Sequence, residues 1–96
     1  MRQYRKYRVG NGLAAMILRK YHVVFDALAQ VWELRRVTAD ETPELVARYP
    51  TREAAVCGCK RYCGQLRRCG WVADLFAFDR DGRLAFEQLF DPGMPA

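Results

Sequence analysis

Residues 71–90 read WVADLFAFDRDGRLAFEQLF, and this stretch decides the fold. Two apolar runs, 71–78 and 84–90, flank Asp79-Arg80-Asp81-Gly82-Arg83. Aromatic and aliphatic runs around an Asp-Gly pair predict a β-hairpin. Loop length then sets the register. A three-residue loop, Arg80-Asp81-Gly82, places Gly82 in the left-handed region that glycine tolerates. It opposes Phe78 to Leu84, Phe76 to Phe86 and Val72 to Phe90 on one face, with Asp79 across from Arg83. A two-residue loop would set Phe78 against Arg83 and Phe76 against Ala85. A slip of one residue turns every side chain of a strand over, so the three-residue loop is the expected one. Asp91 to Ala96 contains two prolines and ends the strand.

Working back from the hairpin, Pro50-Thr51-Arg52-Glu53 is a helix start. The Thr51 hydroxyl suits an orphan first-turn amide, and Glu53 suits the positive end of the dipole. The helix is expected to run to about Cys69, with Gly70 as its terminator. Ala55, Cys59, Tyr62 and Leu66 recur at helical spacing and form the expected buried stripe, flanked by Cys63 and Cys69. Lys60, Arg61, Arg67 and Arg68, with Cys57 among them, fall on the other side. Gly58 and Gly64 each cost about 1 kcal/mol against alanine in a helix interior. Close packing would account for Gly58; the sequence offers no reason for Gly64.

Before the helix, Tyr21-His22-Val23-Val24-Phe25 is rich in β-branched and aromatic residues and predicts a strand. Residues 31–37 alternate, with Trp32 and Leu34 on one face and Glu33 and Arg35 on the other. The loop between them has neither Gly nor Pro to mark it. Leu45, Ala47 and Tyr49 alternate with Glu44, Val46 and Arg48 as a short third strand. The expected fold is α+β: an antiparallel sheet of four to five strands, β-β-(β)-α-β-β, with one helix packed on one face. The chain divides into a basic arm, 1–15, one domain, 16–91, and a tail, 92–96. Ninety-six residues, 51% of them hydrophobic, suit one such core and little spare volume for a deep cavity.

The formal net charge is +5, but its distribution matters more. Residues 1–20 hold six lysines and arginines and no acid, so the remainder carries one negative charge in excess. The pull toward anionic partners therefore belongs to the arm. Arg2, Arg5, Lys6 and Arg8 interleave with Tyr4 and Tyr7, a pattern suited to tracking a nucleic-acid backbone while stacking bases. The cationic helix side is a second, weaker basic patch, of a kind common on solvated helices. No stretch reaches the length of about 20 apolar residues that a membrane span needs, so no membrane partner is expected.

Catalytic constellations are missing from the sequence. Cys57, Cys59, Cys63 and Cys69 lie on one helix, where two disulfides cannot form, so a cytoplasmic location is expected. Zinc wants four convergent ligands from separate segments; here Cys57 points away from Cys59 and Cys63, even if His22 joined them. The cysteines read as small core side chains, with Cys57 beside Lys60 and Arg61 the one with an electropositive setting. His22, the one histidine, has no nucleophile at a telling spacing. Asp79-Arg80-Asp81-Gly82 lacks the third acid of a calcium loop, and Phe90 stands where its closing Glu belongs. Neither a catalytic residue, a metal nor a cofactor is expected.

From about Tyr21 to Phe90 the chain resembles a short bacterial family catalogued as domain of unknown function 2188. The resemblance rests on His22-Val23-Val24, on Trp32, on Thr51-x-Glu53-Ala54, and on Phe78-Asp79-Arg80-Asp81-Gly82-Arg83-Leu84. The chain departs from that pattern in its first loop, around Thr38 to Glu44, and in its cysteine-rich helix. The resemblance implies the sheet-and-helix fold and no activity. The expected function is a non-catalytic binding or accessory module for a protein partner or a second copy of itself. Edge strands without proline or inward charge would favour such self-association. The alternative is nucleic-acid binding through Arg2, Tyr4, Arg5, Lys6, Tyr7 and Arg8.

Overall fold

The chain runs β1 (Leu18–Asp26), β2 (Val31–Val37), β3 (Pro43–Tyr49), α1 (Arg52–Arg68), β4 (Val72–Phe78) and β5 (Leu84–Phe90) in a computed structural model. It describes residues 18–38, 40 and 42–93. The five strands form one sheet in the order β3-β2-β1-β4-β5, with α1 packed on one face. The fold is α+β, as the sequence leads one to expect.

The sheet is mixed rather than antiparallel, because β1 and β4 pair in parallel. The order of elements forces this. Two hairpin turns leave β1 and β3 running the same way, at the two edges of the first three strands. A helix between strands returns the chain to the end it left, so β4 also runs that way. Either edge open to it would have given a parallel pair.

Helix α1 begins and ends on local chemistry. Thr51 Oγ1 accepts from Ala54 N at 3.1 Å, and Glu53 lies in the first turn. At the other end Gly70 N and Trp71 N donate to Arg67 O and Leu66 O, both at 3.0 Å. Ala55, Gly58, Cys59 and Cys63 are its buried residues. The expected stripe thus turns slightly: Cys63 goes in, while Tyr62 is 40% exposed and sets its ring edge-on against Tyr21 at 5.3 Å. Small side chains bring the helix close to the sheet. A Cβ on Gly58 would collide with the Tyr49 hydroxyl, whereas one on Gly64 would meet nothing within 4 Å. Gly58→Ala should therefore lower the melting temperature and Gly64→Ala raise it, the latter by up to about 1 kcal/mol of stability. A thermal scan of both variants checks the pair; equal shifts would rule out the Tyr49 contact as the difference.

The β4–β5 loop is the three-residue one. Asp79 Oδ1 accepts from Asp81 N and Arg83 N, both at 2.9 Å, and Gly82 has φ +86°. Phe78 pairs with Leu84, but the register then shifts: Ala77 faces Phe86 and Ala73 faces Phe90. The expected pairs Phe76–Phe86 and Val72–Phe90 do not form. Ala85 is an extra residue, and this bulge sets the large Phe86 and Phe90 beside the small Ala77 and Ala73 under the helix. Gly82→Ala should cost about 1 kcal/mol, read as a lower urea midpoint, because a Cβ resists positive φ.

Val46 is a second extra residue, in β3, where Leu34 faces Ala47 and Arg35 faces Leu45. Among the described residues the edge strands are β3 and β5, both bulged, and β1 is central. The expectation of an edge at the first strand is corrected accordingly, while the last strand, β5, is an edge as expected.

Candidate functional site

Cross-strand registers separate the two faces of the sheet. Tyr21, Val23, Trp32, Leu34, Ala73, Leu75, Ala77 and Phe90 belong to the core beneath α1. Lys20, His22, Val24, Glu33, Arg35, Val72, Asp74, Phe76, Phe78 and Glu87 therefore alternate onto the opposite face. Among the described residues α1 is the one helix, so no helix lies on that face. That face is a surface on which a partner could seat.

Its centre is aromatic. The His22 ring stands 5.4 Å from Phe76 and 5.1 Å from Phe78, tilted or edge-on to each, with all three rings half-buried. This is the role the structure gives the one histidine: it packs among phenylalanines on neighbouring strands. Toward β3 the face is ionic. Glu33 is 4% exposed and accepts from Arg35 Nε at 2.8 Å and from Arg48 Nε at 3.2 Å. Two guanidinium groups held by one buried carboxylate fix the charge pattern there. Toward β5 the face carries Asp74, fully buried, and Glu87, with Lys20 in register beside Asp74.

Where the parallel strands β1 and β4 end, the face runs into a cleft of about 330 Å³ lined by His22, Val24, Phe25, Phe78 and the loop 79–82. Arg80 covers one wall, its guanidinium carbon 4.3 Å from the centre of the Phe25 ring. On the helix side a second groove, about 400 Å³, lies between α1 and β5 against Val56, Cys57, Lys60 and Phe86. Arg52 and Lys60 both approach the Phe86 ring, at 6.0 and 5.6 Å. Lys60, Arg61 and Arg68 are exposed along α1, as a solvated face would leave them.

The cysteines divide into two kinds. Cys57 and Cys69 are exposed free thiols; Cys59 and Cys63 are buried, with their sulfurs 3.9 Å apart. The contact with Cys63 and then burial push the Cys59 thiol up, away from the reactive thiolate. Among the described residues no three His, Cys, Asp or Glu side chains converge as a metal site. Arg2, Tyr4, Arg5, Lys6, Tyr7 and Arg8, singled out in the sequence, lie outside the described residues. Sequence reasoning missed the open face because it set Phe76 on one face with Phe86, and Val72 with Phe90, whereas Phe86 and Phe90 pack with the core under the helix. The Asp74 between Val72 and Phe76 was a signal for the other choice, since a carboxylate fits poorly beneath a helix.

No helix among the described residues is long and apolar enough to cross a membrane. No family model matches the chain, and no curated protein and no solved structure matches it.

Proposed function

We propose that this protein is a non-catalytic binding module whose docking surface is the open face of the sheet. The observation that carries this reading is the His22–Phe76–Phe78 ring cluster on a face that no helix among the described residues covers. Aromatic centres flanked by charge are how partner-binding surfaces combine apolar contact with orientation. The flanking guanidinium groups of Arg35 and Arg48, anchored by the buried Glu33, give such a partner a direction.

Point variants test the surface. A partner captured from lysate after nuclease treatment should be kept by Lys60→Glu, on the helix, and lost by Phe76→Arg, on the open face. Retention by Phe76→Arg moves the site elsewhere. A turnover abolished by loss of Cys57 would replace the binding reading with a thiol enzyme. The second reading, nucleic-acid binding, is favoured by the cationic arm, Arg2 to Arg8, which carries no acid. It requires an oligonucleotide affinity that falls steeply with salt and disappears when residues 1–15 are removed.

A further inference from the structure

We propose that the groove between α1 and β5 binds a small amphipathic carboxylate, with the anion at Lys60 and the hydrocarbon against Val56 and Phe86. The groove lies on the helix side of the sheet, so this site is separate from the open face. Three observations carry it. The first is shape. The groove has a volume of about 400 Å³ between Arg52, Glu53, Val56, Cys57 and Lys60 of α1 and Phe86 of β5. Small-molecule sites begin at about 300 Å³ and combine an apolar lining with a few polar groups. Val56 and Phe86 are half-buried; each packs against the core and also lines the groove. They form an apolar floor on which alkyl carbons leave water.

The second is charge. Lys60 Nζ stands 5.6 Å from the centre of the Phe86 ring, and the Arg52 guanidinium carbon stands 6.0 Å from it. A cation–π attraction fades beyond about 6 Å, so the ring does not by itself satisfy either cation. Arg52 Nε also donates to Phe78 O at 3.3 Å, and Glu53 follows it in the first turn of α1. That end of the groove thus has an acid of its own, which answers the positive end of the helix. Lys60 is exposed and forms no ion pair among the described residues. An anion is therefore drawn to the Lys60 end.

The third is length. Lys60 follows Arg52 by eight residues of helix, about 12 Å, roughly the extended length of a ten-carbon chain. With its carboxylate at Lys60, such a chain crosses Val56 and Phe86 and ends near Arg52 and Glu53. Glu53 there disfavours a second anion, so a monocarboxylate fits this order of charges and a dicarboxylate does not.

Titration of the isotopically labelled full chain with decanoate, kept below its micelle concentration, tests the proposal. The amide resonances of Val56, Cys57, Lys60 and Phe86 should shift and saturate, while those of Arg48 and Phe76 stay in place. No shift, or shifts on the open face instead, overturns it. Decyltrimethylammonium carries the same chain with the opposite charge and should bind at least about tenfold more weakly; equal affinity overturns the charge match. Lys60→Glu alters an exposed side chain and should weaken decanoate about tenfold, and an unchanged affinity overturns the placing of the anion. Cys57 gives a second readout, since it lines the groove, whereas the exposed Cys69 lies outside it at the end of α1. Saturating decanoate should slow alkylation of Cys57 by iodoacetamide several-fold and leave Cys69 unchanged; equal slowing at both overturns the site. Phosphatidylglycerol vesicles that shift the groove resonances where decanoate does not would make a membrane surface the occupant and also overturn it. Phe76→Arg should leave decanoate binding intact, so this site and the open face stand or fall separately.

Discussion

Leu75→Ala should destabilise the domain by about 3 kcal/mol. Leu75 is fully buried on β4, in register with Tyr21 on one side and Gln88 on the other, beneath α1. Truncation removes the transfer energy of the lost carbons and leaves a cavity, because neighbours on three rigid elements cannot collapse into it. A domain of this size keeps about 5–15 kcal/mol in all, so the variant should melt more than about 10 °C lower. Leu28→Ala is the control. Leu28 is 98% exposed at the tip of the β1–β2 turn, and its loss should change stability by no more than about 0.5 kcal/mol. Urea unfolding of both variants measures the contrast; a similar loss at the two sites would mean that the core beneath α1 is not the one described.

The second large effect is alkaline. Burial, and after it the neighbouring Tyr62 and Cys63, hold the Tyr21 hydroxyl well above tyrosine's ordinary value of 10.0. In the unfolded chain that hydroxyl ionises near pH 10, while the folded protein keeps its proton. The stability it contributes is complete below about pH 10 and is lost as pH rises above that value. Each further pH unit should remove about 1.4 kcal/mol until the folded hydroxyl also ionises. Tyr21→Phe should abolish this part of the slope. Cys59, whose thiol is likewise held up, adds loss of the same sign from about pH 9.0 and persists in the variant. Urea midpoints at pH 8, 10 and 11 check the difference; parallel curves for the two proteins would show that Tyr21 is not proton-locked by the fold.

Much of the fold can be read from short-range chemistry. Thr51 and Gly70 mark the ends of α1, and Asp79 with Gly82 marks the last hairpin, because each is satisfied within a few residues. The β1–β2 turn was harder to read. It has no glycine or proline; Asp26 Oδ1 holds it by accepting from Leu28 N and Ala29 N, with Gln30 at φ 59°. What the sequence does not display is decided between elements. Whether Phe76 or Ala77 lies beneath the helix depends on how close α1 approaches, and that depends on Ala55, Gly58 and Cys59. The bulges at Val46 and Ala85 have no local mark either. The open face was therefore legible only after the register was known, whereas the cationic arm was legible from the start.

The parallel pairing of β1 with β4 also governs how the protein can form. β1 to β3 is a meander and β4–β5 is a hairpin, each closed by short turns and each able to assemble locally. Between them runs one seam, where Leu18 meets Val72 and Val23 meets Ala77 across most of the chain's length. Closing so long a loop is entropically costly until α1 has packed its small-residue stripe across both halves. Closing the seam is then the slow step of the whole, and a substitution along it should slow folding in proportion to how far the seam is formed at the barrier, while leaving the collapse of either half unchanged.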